Sequence, residues 1–279
     1  MKILLIGCGF VGERAADLFH AAGHQVFGVT HSPNSAERLT SLKPWSALAC
    51  DVSSATSVQA LREQTGPVDA FIHCASSSKG GAEMYQAVYV DGMTHLLAAY
   101  SQAWPLYTSS TSVYPQVDGS TVDETSPAQP DKETGRLLRA AEELALKNGG
   151  ALARLAGIYG PGQNALVSLR EGSAKRLVKP GQVFNRIHVE DIARAIAACF
   201  AGKGPGGPLN VTDDEPAPPQ LPIEWAARLM GIEPPPEVPY DEAEFSPPAA
   251  LACDLPGRSC GGFADGHPAG AFRGGRAVP

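Results

Sequence analysis

Apolar and polar positions switch between two periods from the first residue onward. Residues 2–6 form a short strand, apolar from Ile3 to Ile6, and residues 11–22 carry Val11, Ala15, Leu18, Phe19 and Ala22 at helical spacing. The exchange repeats with a strand at 25–29, a helix at 36–42, a strand at 47–50, a helix at 54–64 opened by a serine cap, and a strand at 70–74. A long helix at 83–103, a strand at 106–109, a helix at 133–148 and a strand at 151–154 follow. Strands that alternate with helices build βαβ units. The pattern therefore predicts an α/β fold with a parallel, doubly wound sheet covered on both faces.

Beyond residues 157–162 the pattern loosens. Residues 188–200 are the clearest further helix, and the proline-rich stretch 216–222 leads into a short helix at 223–230. We expect residues 1–165 to form a nucleotide-binding domain whose sheet is completed by parts of 180–215, and residues 166–245 to form a small C-terminal substrate lobe with its connecting segments. The tail, residues 246–279, holds seven glycines, five prolines and seven alanines but no lysine, glutamate, isoleucine or tyrosine. Such a segment cannot bury enough apolar surface to offset its ordering entropy, so we expect it to be disordered or weakly packed. Its composition is also that of a GC-rich gene read out of frame, and a frameshift is our hypothesis for its origin.

The 279 residues, 43% hydrophobic and 18% charged, suffice for one large core with a small appended lobe. A formal charge of −7 argues against nucleic acid or an anionic membrane as partner, since both require a basic face. The apolar start is broken by glycines after six residues, and no window is long enough to span a bilayer, so the chain reads as cytoplasmic. Six scattered cysteines with no Cys-x-x-Cys and no histidine cluster point to buried thiols in a reducing compartment and to no metal site.

The first chemistry lies in GCGFVG at 7–12, which follows a predicted strand and opens a predicted helix, the context that G-x-G-x-x-G demands. Gly7 permits the tight turn, Gly9 lets the backbone approach a pyrophosphate, and Gly12 allows close helix–strand packing. Phe10 and Val11 lie between them, where the amides of the helix start supply an anion site. Ribose selectivity is set about 20 residues further on, at Thr30, His31 and Ser32, where no acid stands to accept from a 2′-hydroxyl. His31, Ser32 and Arg38 are available to a 2′-phosphate instead, so the cofactor expected is NADP or NAD, with a preference for NADP. Asp51 and Val52 follow the third strand, where a carboxylate can accept from an adenine amine or simply cap a helix. Cys74, Ala75 and Ser76 end the fourth strand, and small residues there suit close approach of a dinucleotide.

The glycine loop, TSSTSVYP (108–115), DETSPAQPDKETGR (123–136), RLAGIYGPGQ (154–163) and NRIHVEDIA (185–193) together resemble the extended short-chain dehydrogenase/reductases, specifically the NAD-dependent epimerase/dehydratase group. The resemblance runs from residue 1 to about residue 232. It implies a Rossmann domain with a small substrate lobe, often sugar-nucleotide chemistry, Ser109 beside the cofactor, and a possible homodimer through the helices at 83–103 and 133–148. In that family a serine or threonine, a tyrosine and a lysine four residues later form the catalytic set. By motif, Ser110 takes the serine position, Thr134 the tyrosine position and Leu138 the lysine position. Threonine has no proton that ionises near neutrality, and leucine can neither donate nor carry charge.

Tyr114, at the end of the TSSTSVY segment, is a candidate stand-in, with packing or substrate contact as its alternative role. Tyr159, Arg186 and His188 lie in segments that line the substrate side in the family, and Lys132 and Glu133 flank the lost tyrosine position. Glu142 and Glu143 read as a solvated or lobe-contacting helix face, while Arg154 either binds a substrate phosphate or pairs with an acid. Two functions follow. One is an NAD(P)-binding oxidoreductase or epimerase acting on a small polar substrate such as a nucleotide sugar. The other is a dinucleotide-binding sensor or scaffold that transfers no hydride.

Overall fold

Strand β1 (Lys2–Ile6) lies inside a seven-stranded sheet, hydrogen-bonded to β2 (Gln25–Thr30) on one side and to β4 (Ala70–His73) on the other. Beyond β2 comes β3 (Ser46–Ala49). Beyond β4 come β5 (Trp104–Ser110), β6 (Ala151–Leu155) and β10 (Pro208–Val211), and every pairing is parallel. The chain builds outward in one direction from β1 and then returns to build in the other, which makes this a Rossmann-type sheet. Its order reverses between β1 and β4, and in open α/β sheets a ligand crevice forms outside the carboxyl ends of the strands at that point. The computed structural model describes residues 1–77, 80–116, 120–202 and 207–239; the tail at 246–279, with its expected disorder, lies outside them.

Alternation along β1 divides the core in two. Ile3 and Leu5 meet Ala15, Ala16 and Phe19 of α1 (Gly12–Ala21), Leu39 of α2 (Pro33–Leu42), and Ile192 and Ile196 of α8 (Val189–Phe200). Leu4 and Ile6 meet Val58 and Leu61 of α3 (Ala55–Thr65), Met93 and Leu96 of α5 (Gly92–Ala99), and Leu138, Ala141 and Ala145 of α6 (Glu133–Lys147). Side chains of a strand point alternately to opposite faces, so an uninterrupted apolar run is what a strand covered on both sides requires. Each such Leu or Ile stabilises the fold by roughly 1.5–3 kcal/mol.

The structure departs from the sequence expectation in definite places. The helix expected over 83–103 is three pieces: α4 (Ala82–Tyr85), a π-helical turn over Gln86–Asp91, and α5. Gln86 Nε2 donates to Asp91 Oδ1 at 2.7 Å across the widened turn, and the chain leaves the helix at Tyr100 to begin β5. Helix α2 starts earlier than expected, because Ser32 caps it by accepting from Ser35 N and Pro33 has no N–H to leave unpaired. Glu142 is not on a solvated face: it is fully buried on α6.

Short elements that sequence periodicity does not show complete the molecule: β7 (Gly157–Tyr159) pairs with β9 (Arg186–His188), and β8 (Arg176–Val178) pairs with β11 (Glu237–Pro239). Helix α7 (Ala165–Arg170) packs on α9 (Leu221–Met230). Among the described residues, no helix is long and apolar enough to cross a membrane.

Candidate active site

The glycine loop is fixed by backbone bonds and by lack of room. Gly7 N and Cys8 N both donate to the Val29 carbonyl, at 2.9 and 2.8 Å, which ties the end of β1 to β2. Gly7 has φ +91°, and a Cβ there would lie 2.3 Å from Ala75 N; a Cβ on Gly12 would lie 2.3 Å from the Gly7 carbonyl oxygen. Gly9 differs: a Cβ there would meet no protein atom. Helix α1 then begins at Val11 with no side-chain cap, so no side chain occupies its first-turn amides. Free space beside a loop backbone and an uncapped helix start together form a cradle that fits a pyrophosphate.

That cradle opens into a cleft of about 860 Å³ along the carboxyl ends of the strands. Gly7, Gly9, Phe10 and Val11 line it from the loop, Thr30 and His31 from β2, Cys74, Ala75 and Ser76 from the end of β4, and Ser109 and Ser110 from β5. Ser109 Oγ is buried without a hydrogen-bond partner among the described residues. Burial pushes the Cys74 thiol up to about 12, so it remains a neutral, inert lining group.

Three expected cofactor residues have other places, while Gly12 makes the close packing its motif position calls for. Ser32 is spent as the α2 cap and Val52 is buried in the core. Asp51 does not line the cleft: its Oδ1 accepts from Ser53 N at 3.0 Å and Ser53 Oγ at 2.7 Å. Those bonds, with His31 3.9 Å away, hold its carboxyl below the usual range. From α2, Ser35 and Arg38 line the cleft beside His31.

At the other end of the cleft, Ser110 Oγ accepts from Ser112 N at 3.1 Å. Leu138 also lines this end, whereas Thr134, one turn earlier on α6, does not. Tyr114 is withdrawn from the cleft into a buried network. Arg154 Nη1 donates to its hydroxyl at 2.8 Å, and that hydroxyl donates to Asn210 Oδ1 at 2.8 Å. Arg154 in turn grips Glu142 with two bonds, Nε to Oε1 at 2.9 Å and Nη2 to Oε2 at 2.7 Å. Arg154 thus pairs with an acid, and this network joins α6, β6 and β10.

The expected substrate residues also stand outside the cleft. Tyr159 and His188 pack edge to face with centroids 5.3 Å apart, and His188 Nδ1 accepts from Glu190 N at 3.3 Å to cap α8. Arg186 Nη1 points at the Phe184 and Ala217 carbonyls, 3.5 and 3.4 Å away. Their neighbours Ile158, Gln163 and Asn185 line the cleft instead. Two tyrosines that sequence reasoning passed over, Tyr85 and Tyr89, line it as well. They are spaced by four residues on the helical segment that follows β4, and that spacing was the available signal.

The model of the NAD dependent epimerase/dehydratase family matches residues 3–211. Protein YeeZ of Escherichia coli (strain K12) is 28% identical, the match covering 84% of this chain and 85% of YeeZ. The 3-diazoavenalumate denitrifying reductase of Streptomyces sp is 27% identical, with 86% and 84% covered. Among solved structures, a conserved protein of unknown function from Silicibacter pomeroyi DSS is 32% identical, with a TM-score of 0.72 over 92% of this chain and 88% of that one.

Proposed function

Because this chain belongs to the NAD-dependent epimerase/dehydratase family, we propose that it binds a nicotinamide dinucleotide in the cleft and acts as an oxidoreductase on a small polar carbonyl compound such as a nucleotide sugar. The observation that carries the reading is the pairing of an open Gly9 with an uncapped α1 at the sheet's reversal point. When bound, such a cofactor supplies or accepts a hydride. The chain's own part is to seat the pyrophosphate on the uncapped amides at the start of α1, to keep small residues from Cys74 to Ser76 against the dinucleotide, and to present the Ser110 hydroxyl to a substrate oxygen. The kinship to a protein named as a reductase supports hydride chemistry.

NADP is the preferred cofactor in this reading. Arg38, Ser35 and His31 all line the cleft, Glu13 and Asp51 approach Arg38 and His31 only at 4.0 and 3.9 Å, and residues 30–32 offer no carboxylate to a ribose hydroxyl. A charged hydrogen bond of roughly 1.5–3 kcal/mol to a 2′-phosphate corresponds to about 10- to 100-fold in affinity. Calorimetric titration with NAD, NADH, NADP and NADPH tests this: NADPH binds about 10- to 100-fold more tightly than NADH, and Arg38→Ala removes the difference while leaving NADH affinity unchanged. Absence of saturable binding by all four dinucleotides overturns the reading.

One observation favours a non-catalytic sensor, namely that Leu138 lines the cleft where a lysine would be expected. A sensor binds the dinucleotide and leaves NADPH unoxidised with every carbonyl offered.

A further inference from the structure

The cleft has lost the tyrosine and lysine positions of its family motif, which raises the question of which remaining group can hold a proton for a substrate oxygen. The serine and threonine hydroxyls around β5 do not ionise near neutrality. The buried Cys8 thiol is turned to the Leu5 carbonyl, 3.6 Å away, and the Cys74 thiol is engaged by the Thr108 side chain. His31 stands with Ser35 and Arg38 at the β2 side, and Gln163 and Asn185 carry only amides. Ser77 engages both tyrosine hydroxyls, its N donating to Tyr89 at 3.1 Å and its side chain bonding Tyr85, but Tyr89 is buried at 8% exposure.

Tyr85 remains. It ends α4, is only partly buried, and lines the same cleft as Ser110 and Leu138. Its ring packs edge to face on Tyr89, with centroids 5.0 Å apart. Helix α4 packs against α6, the helix that brings Leu138 to the cleft. The π-helical turn begins at the next residue, Gln86. A π turn inserts an extra residue and shifts the face presented before it relative to the face after it; such turns cluster at functional sites. Here α5 keeps Met93 and Leu96 fully buried while Tyr85, on the other side of the turn, reaches the cleft.

We propose that Tyr85 is the catalytic acid of this cleft, its phenol hydrogen-bonding the substrate carbonyl oxygen and giving it a proton during reduction. The proposal rests on the hydride-transfer reading above. In the step, the carbonyl carbon receives a hydride from the reduced dinucleotide, which is oxidised. The C=O π pair moves to oxygen, oxygen takes the Tyr85 hydroxyl proton, and the phenolate regains a proton from solvent through the open cleft. Burial, with Tyr89 beside it, raises the Tyr85 phenol above its ordinary value against a smaller lowering from its hydrogen bond with the Ser77 side chain, and Leu138 offers no cation to lower it further. The phenol therefore stays protonated at neutral pH, the state that reduction needs.

The test uses Tyr85→Phe, which removes only the hydroxyl, with two carbonyl probes: 9,10-phenanthrenequinone and a 4-keto-6-deoxy nucleotide sugar. The variant binds NADPH as the parent does, but its rate of NADPH oxidation falls by about 100-fold or more, as loss of a general acid requires. A second readout needs no turnover. With oxidised cofactor present, the infrared carbonyl band of the bound quinone is shifted to lower frequency in the parent by the phenol hydrogen bond, and the shift disappears in the variant. An unchanged rate or an unchanged band removes Tyr85 from the mechanism and leaves the oxidoreductase reading standing. A variant that loses NADPH binding shows a structural role and also overturns the proposal. A parent protein that binds NADPH and reduces neither probe overturns the hydride-transfer reading, and the assignment of Tyr85 with it.

Discussion

His73 shows how a single buried side chain sets a condition on the fold. It is fully buried on β4, its Nε2 lies 3.0 Å from the Val88 carbonyl, and its Nδ1 has no partner among the described residues. Burial lowers its pKa from 6.5 to about 4. The unfolded chain therefore binds a proton at this residue between those two values while the folded chain does not, and stability falls as pH falls through that window. The loss is on the order of 3 kcal/mol. Chemical denaturation of the parent and of His73→Phe from pH 7 to 4 checks it: the parent weakens across the window, and the variant loses that part of the dependence. Equal slopes would show that His73 is solvated.

At this scale the glycines were legible in the sequence, because G-x-G-x-x-G specifies backbone room and needs no distant partner. The network joining Tyr114, Arg154, Glu142 and Asn210 was not, since its links span 12 or more residues across different elements, although acid pairing had been one alternative for Arg154. Tyr159 and Arg186 were read one position from the cleft-lining Ile158 and Asn185, and His188 three positions from Asn185. In a three-residue strand a shift of one position reverses the face.

Among the elements, the β1–loop–α1 unit carries the most chemistry and allows its two glycine roles to be separated. Gly7→Ala places a Cβ 2.3 Å from Ala75 N at a φ of +91°, so the variant loses stability, by roughly 2–4 kcal/mol, before binding is considered. Gly9→Val puts its side chain into open space and keeps the parent's melting temperature, yet it fills the cradle and weakens NADPH binding by at least about 10-fold. Melting curves beside calorimetry distinguish them; a Gly9→Val protein that binds normally would show that the ligand does not use this loop. Most of the strands and helices of the sheet were legible from periodicity. The π turn at Gln86–Asp91 was not, because one additional residue in a turn leaves an apolar pattern that still reads as helix.

The whole molecule is rigid where strands are covered on both faces and looser where they are not. Strands β4 and β6 are buried along their full length, whereas no residue of α7 is fully buried and two of the three residues of β11 are exposed. In hydrogen exchange under native conditions, amides of β1, β4, β5 and β6 therefore exchange last, through global unfolding, and those of α7, β8 and β11 exchange first through local opening. Uniform protection across both sets would contradict this.

The strand order has a further consequence during synthesis. Among the described residues, the outer edge of β6 is covered by β10 alone, whose residues Pro208–Val211 pair with Leu152–Leu155. Until the ribosome has released residue 211, the nascent chain presents β6 as a bare edge, and the Arg154–Glu142 pair lacks the Asn210 end of its network. An unpaired parallel edge is a template for another chain. The interval between synthesis of β6 and β10 is thus when this polypeptide is most exposed to misassembly and has most need of a chaperone.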